Sequence, residues 1–304
     1  SIDLMERAAN AFVLQLENDF PNNHLPIHIF CGNGNNGGDG LAIARILLHK
    51  KQSVNIYIFR AKKSSNDFTK NYQRLVKKYK KCIQFIDEKK IINKIPEHAI
   101  IIDAIFGTGL NKPIQEKSLE YYIIQEINNR HFSEVISVDI PSGLFANKSN
   151  NDMAVRASKT YTFQFPKLSL LIPETGKYAN DLKILDISLH QDYITKADAT
   201  YFYTTKDDIE KKLKTRTKYT HKGTYGHALV IAGSYGKVGA AILATKATLR
   251  AGCGLVSVHV PACGYEIIQT AFPEAMCSVD KQEKYFSSIS GDEKYNTIAI
   301  GPGI

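Results

Sequence analysis

Apolar positions along the chain switch between two periods. Leu4, Met5, Ala8, Phe12, Val13 and Leu16 recur at helical spacing and predict an opening amphipathic helix. Residues 27–30 form a short apolar run that enters a glycine-rich segment, which predicts a strand. Residues 41–49 predict a helix, 53–59 a second strand, and 66–80 a further helix. Residues 99–106 and 135–139 are nearly continuous apolar runs, the pattern of strands covered on both faces. A helix is expected over 119–128, and two more strands over 160–163 and 184–187. Strands alternating with helices imply an α/β fold: a three-layer, doubly wound, Rossmann-like parallel sheet.

The pattern breaks between about residues 190 and 221, where the chain turns polar and basic. A boundary at residue 200 divides the 304 residues into domains 1–199 and 200–304. Beyond it the pattern restarts, with a strand at 227–232, a turn at 233–236, a helix at 239–251 and a strand at 255–260. Ile298-Ala299-Ile300 then enters Gly301-Pro302-Gly303, a loop at a strand's carboxyl end, where open α/β sheets bind ligands. Few helices remain to cover this second parallel sheet, so the second domain is expected to be present only in part.

Composition narrows the classes. With 43% hydrophobic and 23% charged residues the chain reads as globular. Its net charge of +9 raises nucleic acid as a partner. The lysines are spread over the whole chain, however, and the tightest run, Lys77, Lys78, Lys80 and Lys81, closes a predicted helix, where cations complement the dipole. No nucleic acid is expected. No apolar run approaches the roughly 20 residues that span a bilayer, so no membrane is expected. Ser1-Ile2-Asp3-Leu4 lacks the basic start of a secretory signal. Five cysteines without metal spacing fit a reducing, cytoplasmic setting.

Candidate chemistry concentrates in CGNGNNGGDG, residues 31–40. Gly32-x-Gly34-x-x-Gly37 fits the dinucleotide fingerprint, which needs an acidic residue about 20 positions on to hold a ribose. Here the second strand ends in Arg60, and no Asp or Glu adjoins it. A dehydrogenase is therefore disfavoured. The loop instead carries Asn33, Asn35, Asn36 and Asp39, which suit a cation, a ribose or a base. Asp103 precedes FGTGL and Asp139 precedes PSGL, and both end predicted parallel strands. The three segments should gather on one rim, as a site with a cation and an acid–base carboxylate. A few neutral oxygens with one or two carboxylates suit a monovalent ion better than calcium or magnesium.

GNGNNGGDG, DAIFGTGL and VDIPSGL, in that order, resemble the YjeF N-terminal family, the NAD(P)H-hydrate epimerases. Phe165-Pro166-Lys167 and Pro173-Glu174-Thr175-Gly176 continue the resemblance to about residue 195. The second half, from HKGTYG (221–226) through LVIAGSYGKVGAAILATKATLRAGCGLVSV to PEAM and GPG, resembles ADP/ATP-dependent NAD(P)H-hydrate dehydratases of ribokinase-like fold. The resemblance implies repair of hydrated NADH and NADPH. The first domain would interconvert the R and S hydrates at C6, and the second would dehydrate the S form with ADP or ATP and Mg2+. It implies Asn36, Asp103 and Ser142 as potassium ligands. It implies Asn35, Asn36, Gly37, Gly38, Asp39, Gly107, Thr108, Gly109, Leu110, Asn111, Lys112, Pro113 and Asp139 as substrate contacts. Asp139 is the expected acid–base group, because proton movement at C6 needs a titratable group within hydrogen-bond reach, with Lys167 a second catalytic candidate. Ala240 and Gly303 are expected in the hydrate site of the second domain. His221 and His227 are read as structural. A homo-oligomer is expected.

Two further readings compete. YjeF-like modules also serve as non-catalytic binding scaffolds, although a scaffold has no need for Asp103, Asp139 and the Asn pair together. The second domain alone also fits a ribokinase-type small-molecule kinase.

Overall fold

The structure is a computed structural model that describes residues 2–150, 153–289 and 294–304. The chain forms two compact units, one reaching to Thr204 and the other spanning Thr205–Ile304.

The first unit runs through α1 (Ile2–Asp19), β1 (Ile27–Cys31), α2 (Asn35–His49), β2 (Val54–Phe59), α3 (Asn66–Tyr79), β3 (Ile83–Ile86) and β4 (Ile100–Ala104). There follow α4 (Leu119–Asn129), β5 (Glu134–Val138), β6 (Lys159–Phe163), the one-turn α5 (Leu168–Leu171) and α6 (Pro173–Gly176), β7 (Asp181–Leu185) and α7 (Gln191–Lys196). The seven strands are parallel, in the order β3-β2-β1-β4-β5-β6-β7. Strand order reverses between β1 and β4, which opens a crevice at their carboxyl ends.

Strand alternation builds the three layers. Ile27, Ile29, Ile100 and Ile102 point to a core shared with Met5 and Phe12 of α1, Leu41 of α2 and Leu75 of α3. Phe30, Ile101 and Ile105 point the other way, to Ile123, Ile124 and Ile127 of α4. Each fully buried isoleucine contributes about 2–3 kcal/mol by leaving water. α3 is started by Ser65, whose side chain accepts from the Phe68 N–H, and it ends on Lys77 and Lys78, matched to its dipole.

Several elements differ from the sequence pattern, and three have a clear physical reason. The helix expected from residue 41 begins at Asn35, so Asn35–Gly40 form its first turns and not a loop. Glycine is a poor helix former, but close packing requires it here: a Cβ on Gly37 would lie 1.9 Å from the Gly32 carbonyl oxygen, and one on Gly40 2.6 Å from the Ala104 Cβ. The strand expected at 184–187 starts three residues earlier, at Asp181, because its polar residues occupy the half-exposed edge of the sheet. β3, also an edge strand with exposed positions, gives no apolar run to read.

The second unit contains α8 (Lys206–Glu210), β8 (His227–Ile231), α9 (Val238–Arg250), β9 (Leu255–Val260), α10 (Tyr265–Ala271), β10 (Met276–Val279) and β11 (Thr297–Ile300). Its four strands are parallel, in the order β10-β9-β8-β11. Val230, Val256 and Val258 pack with Val238, Ala241, Ile268 and Phe272. All four residues of β11 are exposed. Among the described residues no helix is long and apolar enough to cross a membrane.

Candidate active site

Asp103 and Ser137 are register partners on neighbouring parallel strands, β4 and β5. Ser137 is the one polar residue inside an apolar strand, and its hydroxyl donates to Asp103 Oδ2 at 2.8 Å. The same oxygen accepts the Ser142 N–H at 2.8 Å. Asp103 Oδ1 accepts the Ile105 N–H at 3.2 Å and the Ser142 hydroxyl. Four donors fill the four lone-pair positions of a carboxylate that has no exposed surface. Burial pushes its carboxyl above the usual range, and the bonds from Ser142, Ser137 and Ile105 oppose that shift.

Around this anchor sits a ring of neutral oxygens. Ser142 Oγ accepts the Phe106 N–H at 2.8 Å. The Phe106 carbonyl accepts from Asn36 Nδ2 at 2.8 Å and lies 3.2 Å from Ser142 Oγ. Asn36 comes from the first turn of α2, so one hydrogen bond joins the glycine segment to the β4 and β5 rims. Gly107 permits this approach, since a Cβ there would meet the Asn36 side chain at 2.9 Å. Among the described residues no cluster of three His, Cys, Asp or Glu side chains could hold a metal ion. What converges is an all-oxygen set with a single carboxylate, which fits an alkali cation. Ser142 keeps a lone pair free for an ion, and Asp103, already saturated, would add its charge from behind.

Asp139 follows β5 directly and takes a left-handed backbone, φ +66°. That conformation is rare outside glycine, asparagine and aspartate, and it turns the side chain out of the strand. Asp139 Oδ1 accepts the Phe163 N–H at 2.9 Å, lies 3.2 Å from Thr162 Oγ1, and is ion-paired with Lys167. Lys167 Nζ also donates to Thr162 Oγ1 at 2.9 Å and to the Phe163 carbonyl at 3.2 Å. Both charged side chains are mostly buried, 15% and 16% exposed, so their pairing is held by protein and not by water. Among the described residues nothing donates to Asp139 Oδ2. One oxygen is clamped and the other is open.

Asn35 is exposed, Gly37 and Gly38 are buried, and Asp39 is half-buried. Gly34 caps α2 without a side-chain bond, which leaves the first N–H groups of the helix for an anion. Gly107, Thr108, Gly109, Leu110, Asn111, Lys112 and Pro113 follow β4; Thr108, Gly109, Asn111, Lys112 and Pro113 are exposed. Phe106, Gly109, Leu110, Lys112, Pro113 and Glu120 line an open cleft of about 300 Å³ there. Arg60, at the end of β2, is paired with Asp87 and stacked 4.7 Å from the Phe85 ring. In the second unit Ala240 and Gly303 meet: a Cβ on Gly303 would stand 3.1 Å from the Ala240 Cβ. Ser234 Oγ donates to the Gly303 carbonyl at 2.6 Å, and the Gly233 N–H to the Pro302 carbonyl at 2.8 Å, so the two glycine turns form one rim. His221 caps its own turn, and His227 bonds Ser257, both structural tasks.

The sequence pattern misses Ser137, Thr162 and the Phe106 carbonyl. Ser137 carried a signal, as a hydroxyl inside an apolar strand. Thr162 and a backbone oxygen carried none.

Residues 1–169 match the family model described as the YjeF-related protein N-terminus. The chain belongs to that family. Residues 228–304 match the model described as NAD(P)H-hydrate dehydratase. This YjeF-related chain is 31% identical over 319 aligned residues to the bifunctional NAD(P)H-hydrate repair enzyme Nnr of Moorella thermoacetica, covering 100% of this chain and 60% of that enzyme. It is 34% identical over 190 residues to the NAD(P)H-hydrate epimerase of Oenococcus oeni, covering 62% of this chain and 86% of that enzyme. The crystal structure of the yeast protein ynu0 shares the fold, with a TM-score of 0.55 at 21% identity over 68% of this chain and 89% of that one. The chain thus spans about three-fifths of the length of the bifunctional relative.

Proposed function

We propose that the first unit epimerises the R and S hydrates of NADH and NADPH at C6, and that the second carries part of an ADP/ATP-dependent dehydratase. The observation that carries this reading is the Asp139 carboxylate. One oxygen is fixed by Lys167, Thr162 and Phe163, and the other accepts no hydrogen bond from the described residues, on the strand-end connection that also carries Ser142. Inverting C6 requires a bond to that carbon to break and re-form, with a proton leaving one side and arriving at the other. Asp139 Oδ2 is placed to take the proton from the C6 hydroxyl. Lys167 fixes the orientation of Asp139 and lends the site positive charge. The open N–H groups of α2 and the 107–113 loop are the contacts for the dinucleotide's phosphates and ribose. Asn36 and Ser142 would hold a potassium ion, with Asp103, expected as a third ligand but saturated by four donors, adding its charge from behind; the ion would offset the charge of the phosphates.

In the second unit, the rim of Ala240 and Gly303 is the proposed hydrate contact, with ATP or ADP and Mg2+ as co-substrates. The names of the relatives support both assignments. The five cysteines are all free, which supports a cytoplasmic site of action, and assembly into a homo-oligomer belongs to the same proposal.

A coupled assay tests the epimerase. Mixed hydrates are treated with ATP and excess independent dehydratase until the S form is consumed, and this chain is then added with potassium. Return of the residual R hydrate to NADH should accelerate above the spontaneous rate. Asp139→Asn should remove about 10²–10⁴-fold of that acceleration. A folded wild type that leaves the R hydrate untouched would point to a binding module instead.

A further inference from the structure

Epimerisation by the proposed route needs two proton-handling groups, and Asp139 is one of them. If C6–N1 opens, the hydroxyl proton leaves, its O–H pair becomes the C=O bond, and the C6–N1 pair goes to N1, which takes up a proton. If C6–O opens, the hydroxyl takes a proton and departs as water while the N1 lone pair forms C6=N1. Water then returns to the opposite face and gives up a proton. In the first route one group accepts a proton while another supplies one, and closure on the opposite face restores both. In the second, the group that protonates the departing hydroxyl and the group that takes the proton of the returning water exchange protonation states, and a proton passed between them resets the pair.

Asp39 has the placement for the second group. It lies on α2, half-buried, and no described residue donates a hydrogen bond to its carboxylate. Asp103 carries four hydrogen bonds, and Asp139 is clamped on Oδ1. α2 cannot swing Asp39 away. The Asn36 amide ties one turn of the helix to the Phe106 carbonyl, and the Gly37 and Gly40 contacts leave no room between helix and strands. Asp139 from the β5–β6 connection, Lys167 from the start of α5, and Asp67 from α3 carry the charges that act on Asp39. Lys167, the one cation among the described residues that acts on Asp39, is already bound to Asp139. Burial first, then the charges of Asp139 and Asp67, push the Asp39 carboxyl well above its usual range, with Lys167 opposing. A carboxyl that holds its proton more tightly than usual, near a clamped carboxylate, suits an acid–base pair.

We infer that Asp39 is a second catalytic carboxylate of the epimerase rim, supplying the proton at C6–N1 or C6–O while Asp139 accepts one. This rests on the proposed epimerase reading and goes beyond a binding role for Asp39.

The test compares Asp39→Asn, Asp39→Glu and wild type in the coupled assay, with KM and kcat for the R hydrate determined separately. An asparagine keeps the shape and can still hydrogen-bond, but it supplies no proton. Asp39→Asn should therefore hold KM within about twofold and lower kcat about 10²-fold or more. Asp39→Glu should restore kcat to within about tenfold of wild type, because the acid returns on a longer arm. Thermal melts matched to wild type exclude unfolding as the cause, and if Asp39→Asn melts early the Asp39→Glu result decides. An active wild type whose Asp39→Asn form keeps its kcat, or loses only KM without rescue by Glu, overturns this inference alone. An inactive wild type overturns the proposed function, and this inference with it.

Discussion

In the first sheet, β1 and β4 are buried along their whole length; in the second, β8 and β9 are buried, but their neighbour β11 shows all four residues to solvent. The two rims differ accordingly. Beside β4, packing on both faces holds Asp103 without any exposed surface and positions Ser142 and Phe106 around it. In the second unit Gly303 meets Ala240 just beyond a strand whose Ile298 and Ile300 are 46% and 60% exposed. A site placed by strands covered on both faces is held rigid by its neighbours, and the Asp139 rim is of that kind.

The sharpest way to break this comparison is to cut the same side chain from both sheets. Ile102→Ala on β4 should cost about 2–5 kcal/mol in denaturant unfolding, because it leaves a cavity in a core with no solvent access. Equal costs for this change and for its counterpart on β11 would abolish the contrast.

A smaller effect separates two histidines near the starts of the central strands. His28 on β1 bonds Tyr57 at 3.0 Å through Nδ1, while its Nε2 is buried without a partner. Burial lowers its pKa from 6.5 to about 4. The unfolded chain therefore binds this proton first. Stability fully present above pH 6.5 should be lost as pH falls toward 4, on the order of 2 kcal/mol after discounting for solvent screening. His28→Gln should flatten that part of the pH–stability curve of the first unit. His227 on β8 is also lowered, by burial and by Lys294, but its Nε2 is bonded to Ser257 at 2.9 Å. His227→Gln should leave the acid limb less changed than His28→Gln does.

The smallest expected effect is Ile300→Ala on β11, under about 0.5 kcal/mol, because its side chain already faces water. Hydrogen exchange gives the same ranking without mutation, with amides of β1 and β4 outlasting those of β11.

Much of the fold was legible because burial writes itself into the strands. The runs at 99–106 and 135–139 carried the pattern expected of doubly covered strands, and they became β4 and β5. The edge strands β3 and β7 were missed or shifted, since a half-exposed strand tolerates polar residues and loses its apolar signature. The helical start at Asn35 was hidden for a different reason. Glycine and asparagine argue locally for a loop, and only the close approach of Gly37 to Gly32 shows why they sit in a helix.

The candidate site divides the same way. Its residue types and their strand-end positions are properties of the sequence: an Asp toward the end of each of two apolar runs, an Asn pair before a helix, a serine directly after the proline of a turn. The sequence also determined that these segments share a rim, because parallel strands bring their carboxyl ends together. Only the tertiary structure decided which Asp is closed and which is open. Asp103 gained four donors from Ser137, Ile105 and Ser142, whereas Asp139 had one oxygen taken by Lys167, 28 residues away, and kept the other free. The reason is physical: a carboxylate's role depends on how many of its lone pairs its neighbours occupy, and those neighbours are assembled by non-local packing.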